Sequence, residues 1–217
     1  MERLLISQLL KWKEKRGRKP LILEGARQVG KTWLLKEFGR KYFKDVCYIN
    51  FEKNDALESI FADDLSPQFI IEQLSIYHGK LIKPESTLII FDEVQEMPRA
   101  LTSLKYFCEE APEYAICCAG SLLGIALHEG TSFPVGKTNF LHLYPLSFKE
   151  FLLANDEQML VDYIEKGNRN IAAFEPRLLD YLKKYMIIGG MPAVVNEWLD
   201  TKDNHKFFEI IQKPWFE

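Results

Sequence analysis

One octapeptide limits this chain more than any other part of it: Gly25-Ala26-Arg27-Gln28-Val29-Gly30-Lys31-Thr32. It fits G-x-x-x-x-G-K-[ST] in full. The short apolar run Pro20-Leu21-Ile22-Leu23-Glu24 precedes it, and the helical pattern Trp33-Leu34-Leu35-Lys36-Glu37-Phe38 follows. Strand, glycine-bounded loop and helix, in that order, predict a loop that surrounds phosphates with backbone N–H groups, aided by the partial positive charge of a helix N-terminus. Gly25 and Gly30 permit backbone geometry and close approach that a Cβ would hinder. All eight residues are therefore expected to bind nucleotide. Lys31 would reach the β- and γ-phosphates, and the Thr32 hydroxyl would ligate Mg²⁺. The alternative, a chance glycine turn ahead of a helix, does not account for the flanking strand and helix together.

A second segment sharpens the expectation. Leu88-Ile89-Ile90-Phe91-Asp92-Glu93 is a continuous apolar run ending in two carboxylates. A strand buried on both faces has this pattern, and ligands bind at the carboxyl ends of strands in open α/β sheets. Asp92 is expected to hold the Mg²⁺ that Thr32 also touches. Glu93 can polarise a water and aim it at the γ-phosphate, a base that a kinase transferring phosphate to a substrate does not need. Lys31 and Glu93 are thus the expected catalytic residues. Read alone, the two acids could equally end a strand that exits into solvent.

These residues together resemble the P-loop ATPases that carry an extra central strand and a catalytic glutamate. More narrowly, the chain resembles a family of AAA-type ATPases from bacteria and archaea. The resemblance rests on Gly25–Thr32, Phe91-Asp92-Glu93-Val94-Gln95, Ala119-Gly120-Ser121-Leu122-Leu123, Leu143-Tyr144-Pro145-Leu146-Ser147-Phe148-Lys149-Glu150-Phe151 and Gly189-Gly190-Met191-Pro192, from about Lys19 to about Trp198. It implies a parallel sheet with helices on both faces, the catalytic-glutamate strand inserted in it, and a helical subdomain after it. It also implies ATP as the nucleotide and gives Ser121 the role of sensing the γ-phosphate. Ser121 as a helix N-cap starting Leu122–Leu127 is the other reading, and both can hold.

Alternating strands and helices support the α/β class independently. Strands are expected at Leu21–Glu24, Val46–Phe51, Thr87–Asp92, Tyr114–Ala119 and Asn139–Leu143. Helices are expected at Glu2–Lys15, Lys31–Tyr42, Pro67–Tyr77 and from Pro98 to Glu110. Beyond Ser147 the pattern turns helical, over Phe148–Ala154, Met159–Glu165, Glu175–Ile188 and His205–Gln212, with breaks at Asn155-Asp156-Glu157 and Gly167-Asn168-Arg169-Asn170. Gly189–Pro192 ends one helix and starts the next. The division expected is residues 1–146 for the ATPase core and 147–217 for a helical lid and the start of a truncated C-terminal domain. The closing Lys213-Pro214-Trp215-Phe216-Glu217, with two aromatics and nothing after them, prompts that expectation.

The chain has 217 residues, enough for one sizeable core and a smaller appendage. Its apolar runs are far short of a membrane span, and its N-terminus has no signal-peptide layout. Cys47, Cys108, Cys117 and Cys118 form no C-x-x-C and no zinc spacing, which points to a reduced, cytoplasmic setting, with Cys47, Cys117 and Cys118 buried in strands. The net charge of −3 does not indicate nucleic acid as a partner, although it stays open, as do a protein partner and self-association. The basic run Lys11-Trp12-Lys13-Glu14-Lys15-Arg16-Gly17-Arg18-Lys19 reads better as the solvated end of a helix than as a phosphate-backbone contact, with Trp12 packed on the core.

Phosphoryl transfer also needs a cation for its transition-state charge. Arg27 within the loop, and Arg99 or Lys137 from a neighbouring subunit, are candidates, with plain surface charge as the alternative for each. Arg177 is better read as a surface ion pair than as a sensor. No N-K-x-D is present to read guanine. The leading expectation is Mg²⁺-dependent ATP binding and hydrolysis coupled to a conformational change. The alternative is a low-turnover ATP-binding switch or scaffold acting through a protein or DNA partner.

Overall fold

Leu88-Ile89-Ile90-Phe91, flanked by Thr87 and Asp92, has every residue buried, and it lies inside a sheet as its continuous apolar pattern predicts. The computed structural model describes residues 1–52, 54, 57–121, 136–167 and 174–201. The strands are β1 (Leu21–Gly25), β2 (Asp45–Asn50), β3 (Thr87–Asp92), β4 (Ala115–Ser121) and β5 (Asn139–His142). They form one sheet in the order β2-β3-β4-β1-β5, and every neighbouring pair is parallel. β4 is thus inserted between the strand that leads into the glycine loop and the strand that ends in Asp92. This is the extra central strand the resemblance implied.

Helices cover both faces. The first are α1 (Ile6–Glu14), α2 (Lys31–Tyr42), α3 (Glu58–Ala62), α4 (Pro67–His78) and α5 (Pro98–Glu110). Alternation along the strands sorts the side chains. Ile22, Ile89, Phe91, Ile116 and Cys118 join one core with Phe61 of α3, Ile70 and Leu74 of α4, and Leu104 and Phe107 of α5. On the opposite face α2 lies close: a Cβ on its Gly39 would sit 2.5 Å from Val46 Cγ2 and 3.1 Å from Leu88 Cδ2. Cys47, Cys117 and Cys118 are buried in β2 and β4 as expected, and all four cysteines are free thiols. Trp12 is buried too, with its ring 6.5 Å from Phe38 and its indole N–H donating to the Lys19 carbonyl at 2.8 Å.

The chain divides into two compact units, Leu5–Leu143 and a second made of Met1–Leu4 with Tyr144–Glu217. The second unit carries α6 (Phe148–Ala154), α7 (Gln158–Glu165), α8 (Glu175–Ile188) and α9 (Pro192–Thr201). Its first helix opens with a capping box. The Ser147 hydroxyl accepts from the Glu150 N–H at 3.3 Å, and Glu150 Oε2 accepts from the Ser147 N–H at 2.9 Å. Glu150 also holds the N-terminus: Arg3 Nε and the Leu4 N–H donate to its Oε1 at 3.0 and 2.9 Å. This corrects the first helix, expected from Glu2. It starts at Ile6, because Arg3 and Leu4 are drawn away by Glu150. Gly189, at φ 74° and ψ −171°, a backbone conformation essentially confined to glycine, ends α8, and Pro192 opens α9, as the glycine and proline pattern predicts.

Among the described residues, two short elements have no counterpart in the expected pattern, α3 and a 3₁₀ turn at Val94–Glu96. Both are shorter than the periodicity that identifies a helix. The helices expected over Leu122–Leu127 and His205–Gln212, the segment Asn168–Asn170 and the closing Lys213–Glu217 lie outside the described residues. Among the described residues, no helix is long and apolar enough to cross a membrane.

Candidate functional site

The two glycines of the loop do different work. Gly30 is left-handed, with φ 91° and ψ 27°, and it caps α2 at the point where the chain turns from loop to helix. Gly25 is needed for space: a Cβ there would lie 2.3 Å from the Leu143 carbonyl oxygen. Between them Ala26, Arg27 and Gln28 are exposed at the crown of the loop, and Val29 is fully buried beneath it. Gln28 also has positive φ, 64°, which costs a residue with a Cβ about 1 kcal/mol or more and fixes the shape of the loop.

Lys31 is the first residue of α2 and is nearly buried. Its ammonium donates to the carbonyls of Gly25 at 2.9 Å and Ala26 at 2.8 Å, so it lies across the inside of the loop. Burial pulls its pKa below the ordinary 10.5. Glu93 and Asp92 oppose that shift, and Arg27 adds to it. The Thr32 hydroxyl donates to Asp92 Oδ1 at 3.1 Å, between residues 60 apart in sequence. The parallel register explains the meeting: β1 delivers the loop and β3 delivers Asp92 at the same edge of the sheet, with β4 between them. Ser121 ends β4 opposite Gly25 in register, so its backbone reaches the same edge.

Glu93 follows Asp92 in a left-handed conformation, φ 50° and ψ 45°, which turns the chain out of β3 into the 3₁₀ turn. Its Oε2 accepts from the Gln95 side-chain amide at 2.5 Å. Arg27, Gln28, Gly30, Lys31 and Thr32 line one side of a cleft of about 480 Å³, with Trp33, Glu52, Glu93, Gln95 and Glu96 completing it. The indole of Trp33 is half exposed.

Several of these participants had no signature in the sequence. Tyr48, in β2, donates its hydroxyl to Asp92 Oδ2 at 2.7 Å. Burial, then the bond to Asp92 and the surrounding carboxylates, push its pKa well up, so it stays a donor. His142 of β5 pairs with Glu24, the residue before the loop, at 2.7 Å. Both follow from strand register, which a single sequence leaves undefined. Glu52 and Gln95 likewise lie near named motifs without belonging to one.

The candidate cations fare unevenly. Arg27 lines the cleft. Arg99 is turned to its own chain, donating to the Phe61 carbonyl and, at 3.4 Å, to that of Asp63. Lys137 pairs with Glu109 at 2.8 Å, and Arg177 with Glu157 at 2.5 Å, the surface ion pair expected for it. In the basic run, Lys13 donates to the Tyr42 carbonyl at 2.6 Å and Arg18 to that of Glu113 at 2.7 Å. These cations tie the helix end to its neighbours.

A family profile agrees with this arrangement. The profile of the family AAA_14, described as an AAA domain, matches residues 17–152. The uncharacterized protein MJ1544 of Methanocaldococcus jannaschii is 29% identical over 176 residues. That match takes in 80% of this chain but only 35% of the length of the relative. Among solved structures, AMPPCP-bound DnaA from Aquifex aeolicus aligns over 97% of this chain and 68% of its own, at 18% identity and a TM-score of 0.45. PCH-2 of C. elegans aligns over 74% of this chain and 47% of its own, at 14% identity and a TM-score of 0.41. Neither of those two likenesses bears on activity. With the glycine loop, the paired acids and the inserted strand in place, and the family profile matched across most of the sheet unit, the chain belongs to the AAA_14 family of AAA domains, among the AAA-type P-loop ATPases.

Proposed function

We propose that this chain binds ATP together with Mg²⁺ and hydrolyses it to ADP and phosphate, coupling hydrolysis to a conformational change. The observation that carries the reading is the contact of Thr32 with Asp92, 3.1 Å apart at the mouth of a glycine loop, with Glu93 on the same cleft. A hydroxyl and a carboxylate are hard oxygen donors and suit Mg²⁺. Among the described residues no group of three or more His, Cys, Asp or Glu could hold a metal alone. That fits an ion bound by one carboxylate, one hydroxyl, water and the phosphates of its nucleotide. Once bound, Mg²⁺ neutralises charge on the phosphate oxygens.

The residues divide the work. The loop from Gly25 to Thr32 holds the phosphates, and Lys31 exchanges its two carbonyl partners for the β- and γ-phosphate oxygens. Thr32 and Asp92 hold the ion. Glu93 orients the attacking water and takes its proton, and Ser121 senses the γ-phosphate from the end of β4. Exchange of partners by Lys31 costs little, because both its present acceptors are neutral carbonyls.

Phosphate release from Mg-ATP, with Mg-GTP alongside, tests this in wild type, K31A and E93Q. Turnover with ATP that falls at least about 100-fold in both variants supports the reading. Turnover that E93Q leaves intact removes Glu93 as the base. The bond from Gln95 to Glu93, at 2.5 Å, favours a second reading in which the carboxylate is held away from water and the chain is a slow ATP-binding switch. ATP binding without phosphate release, and release restored by Q95A, would support the switch.

A further inference from the structure

We propose that Tyr48 is a positioning residue for the cation: its hydroxyl fixes which oxygen of Asp92 faces the ion. The inference rests on the Mg-nucleotide reading above and adds a residue that no motif contains. The two Asp92 oxygens have different neighbours. Oδ1 accepts from the Thr32 hydroxyl at 3.1 Å and from the Glu93 N–H at 3.2 Å, so it is turned toward the loop. Oδ2 accepts from Tyr48 Oη at 2.7 Å, from the neighbouring strand. A carboxylate otherwise swings about its terminal bond, and a short bond to one oxygen stops that swing.

The phenol is itself held from two directions. Strand register sets Tyr48 opposite Ile90, two residues before Asp92. From α2, the Lys36 ammonium stands 3.3 Å from the centroid of the Tyr48 ring. Lys36 lies four residues after Thr32, so both are on one face of the helix that begins at the loop. β2, β3 and α2 are thereby joined through one phenol, at the carboxylate that is to meet the cation. A cation over the ring also withdraws charge from it and makes the hydroxyl a better donor. Mg²⁺ demands near-ideal octahedral geometry, so a ligand free to turn weakens its site. Partners that orient a metal ligand commonly govern affinity by about 10–100-fold.

The test is Mg²⁺ titration of a fluorescent, non-hydrolysable ATP analogue bound to the full chain. Y48F keeps the ring and removes only the hydroxyl. The Mg²⁺ concentration at half-saturation should rise about 10-fold, while analogue binding in EDTA stays within about twofold of wild type. K36M, which keeps both ring and hydroxyl, should raise it about threefold. In a D92N background, Y48F should add nothing, since Tyr48 acts through the carboxylate. Should Y48F unfold, K36M carries the test by itself. Unchanged half-saturation in the folded variants, or full additivity with D92N, overturns the role of Tyr48 and leaves the nucleotide reading standing. A wild type whose analogue binding ignores Mg²⁺ overturns both.

Discussion

In the unit Leu5–Leu143, β3 is buried at all six of its positions; in the other unit, α8 runs for 14 residues and buries only Ile188. The first unit is held by a continuous apolar core, in which Phe51, Phe61 and Phe91 meet edge to face with centroids 5.4–5.9 Å apart. The second has smaller apolar clusters around Phe151 and Leu160, and a polar anchor at Glu150. The described residues that line the candidate site belong to the first unit. Positioning of phosphate, ion and water needs side chains whose backbone cannot shift, and a strand buried on both faces provides that. Where apolar burial is thin, one satisfied buried ion pair bears more of the order.

The comparison breaks most easily at Glu150. Its side chain and that of Arg3 are only 8% and 5% exposed, and they lie 3.0 Å apart. E150Q removes the charge of the carboxylate from this buried pair and should cost about 3–5 kcal/mol. Urea denaturation followed by fluorescence and by hydrogen exchange should show the loss in α6 and the N-terminal residues, with β3 and β4 keeping their protection. Uniform loss of protection in both units would refute separate means of stabilisation. The same carboxylate predicts an acid limit. Burial by itself would raise its pKa, but the N–H groups of Ser147 and Leu4 and the Arg3 guanidinium outweigh burial and hold it below the ordinary 4.5. Its contribution is therefore complete above the unfolded value and is lost as pH falls through the lower folded value. Exchange protection in α6 should decline below about pH 4.5 in wild type and not in E150Q.

Two glycines provide a matched test of smaller size. A Cβ on Gly25 would lie 2.3 Å from the Leu143 oxygen, and one on Gly190 2.3 Å from the Leu146 oxygen. Either alanine substitution forces backbone apart and should cost about 1–3 kcal/mol. Only G25A should also weaken nucleotide binding, by at least about 10-fold, because it distorts the loop. Equal loss of binding in G190A would show that the site depends on both units. The smallest effect is expected at Lys137, whose ion pair with Glu109 is exposed. K137A should leave phosphate release within about twofold of wild type; a larger loss would restore it as the transition-state cation.

Much of the sheet unit was legible because its determinants are local. The glycine loop, the apolar run into Asp92 and Glu93, and Pro98 at the start of α5 all declare themselves within a few residues. The start of α1 departs from its local pattern for the opposite reason: the Leu4 N–H is claimed by a carboxylate 146 positions away. In the sequence Tyr48 is one more residue of a strand, and His142 part of the last strand, because their partners Asp92 and Glu24 meet them only through register.

The sequence by itself determined that a glycine-bounded loop stands between a strand and a helix, and that two acids end a buried strand. Both follow from short-range pattern and from the conformational freedom of glycine. Tertiary structure alone decided that β4 separates these two strands, that Thr32 and Asp92 come within 3.1 Å, and that the Tyr48 hydroxyl donates to the same carboxylate with Lys36 over its ring. Strand order and cross-strand contacts are set by the burial of every face at once, a condition on the whole chain that no segment of it records.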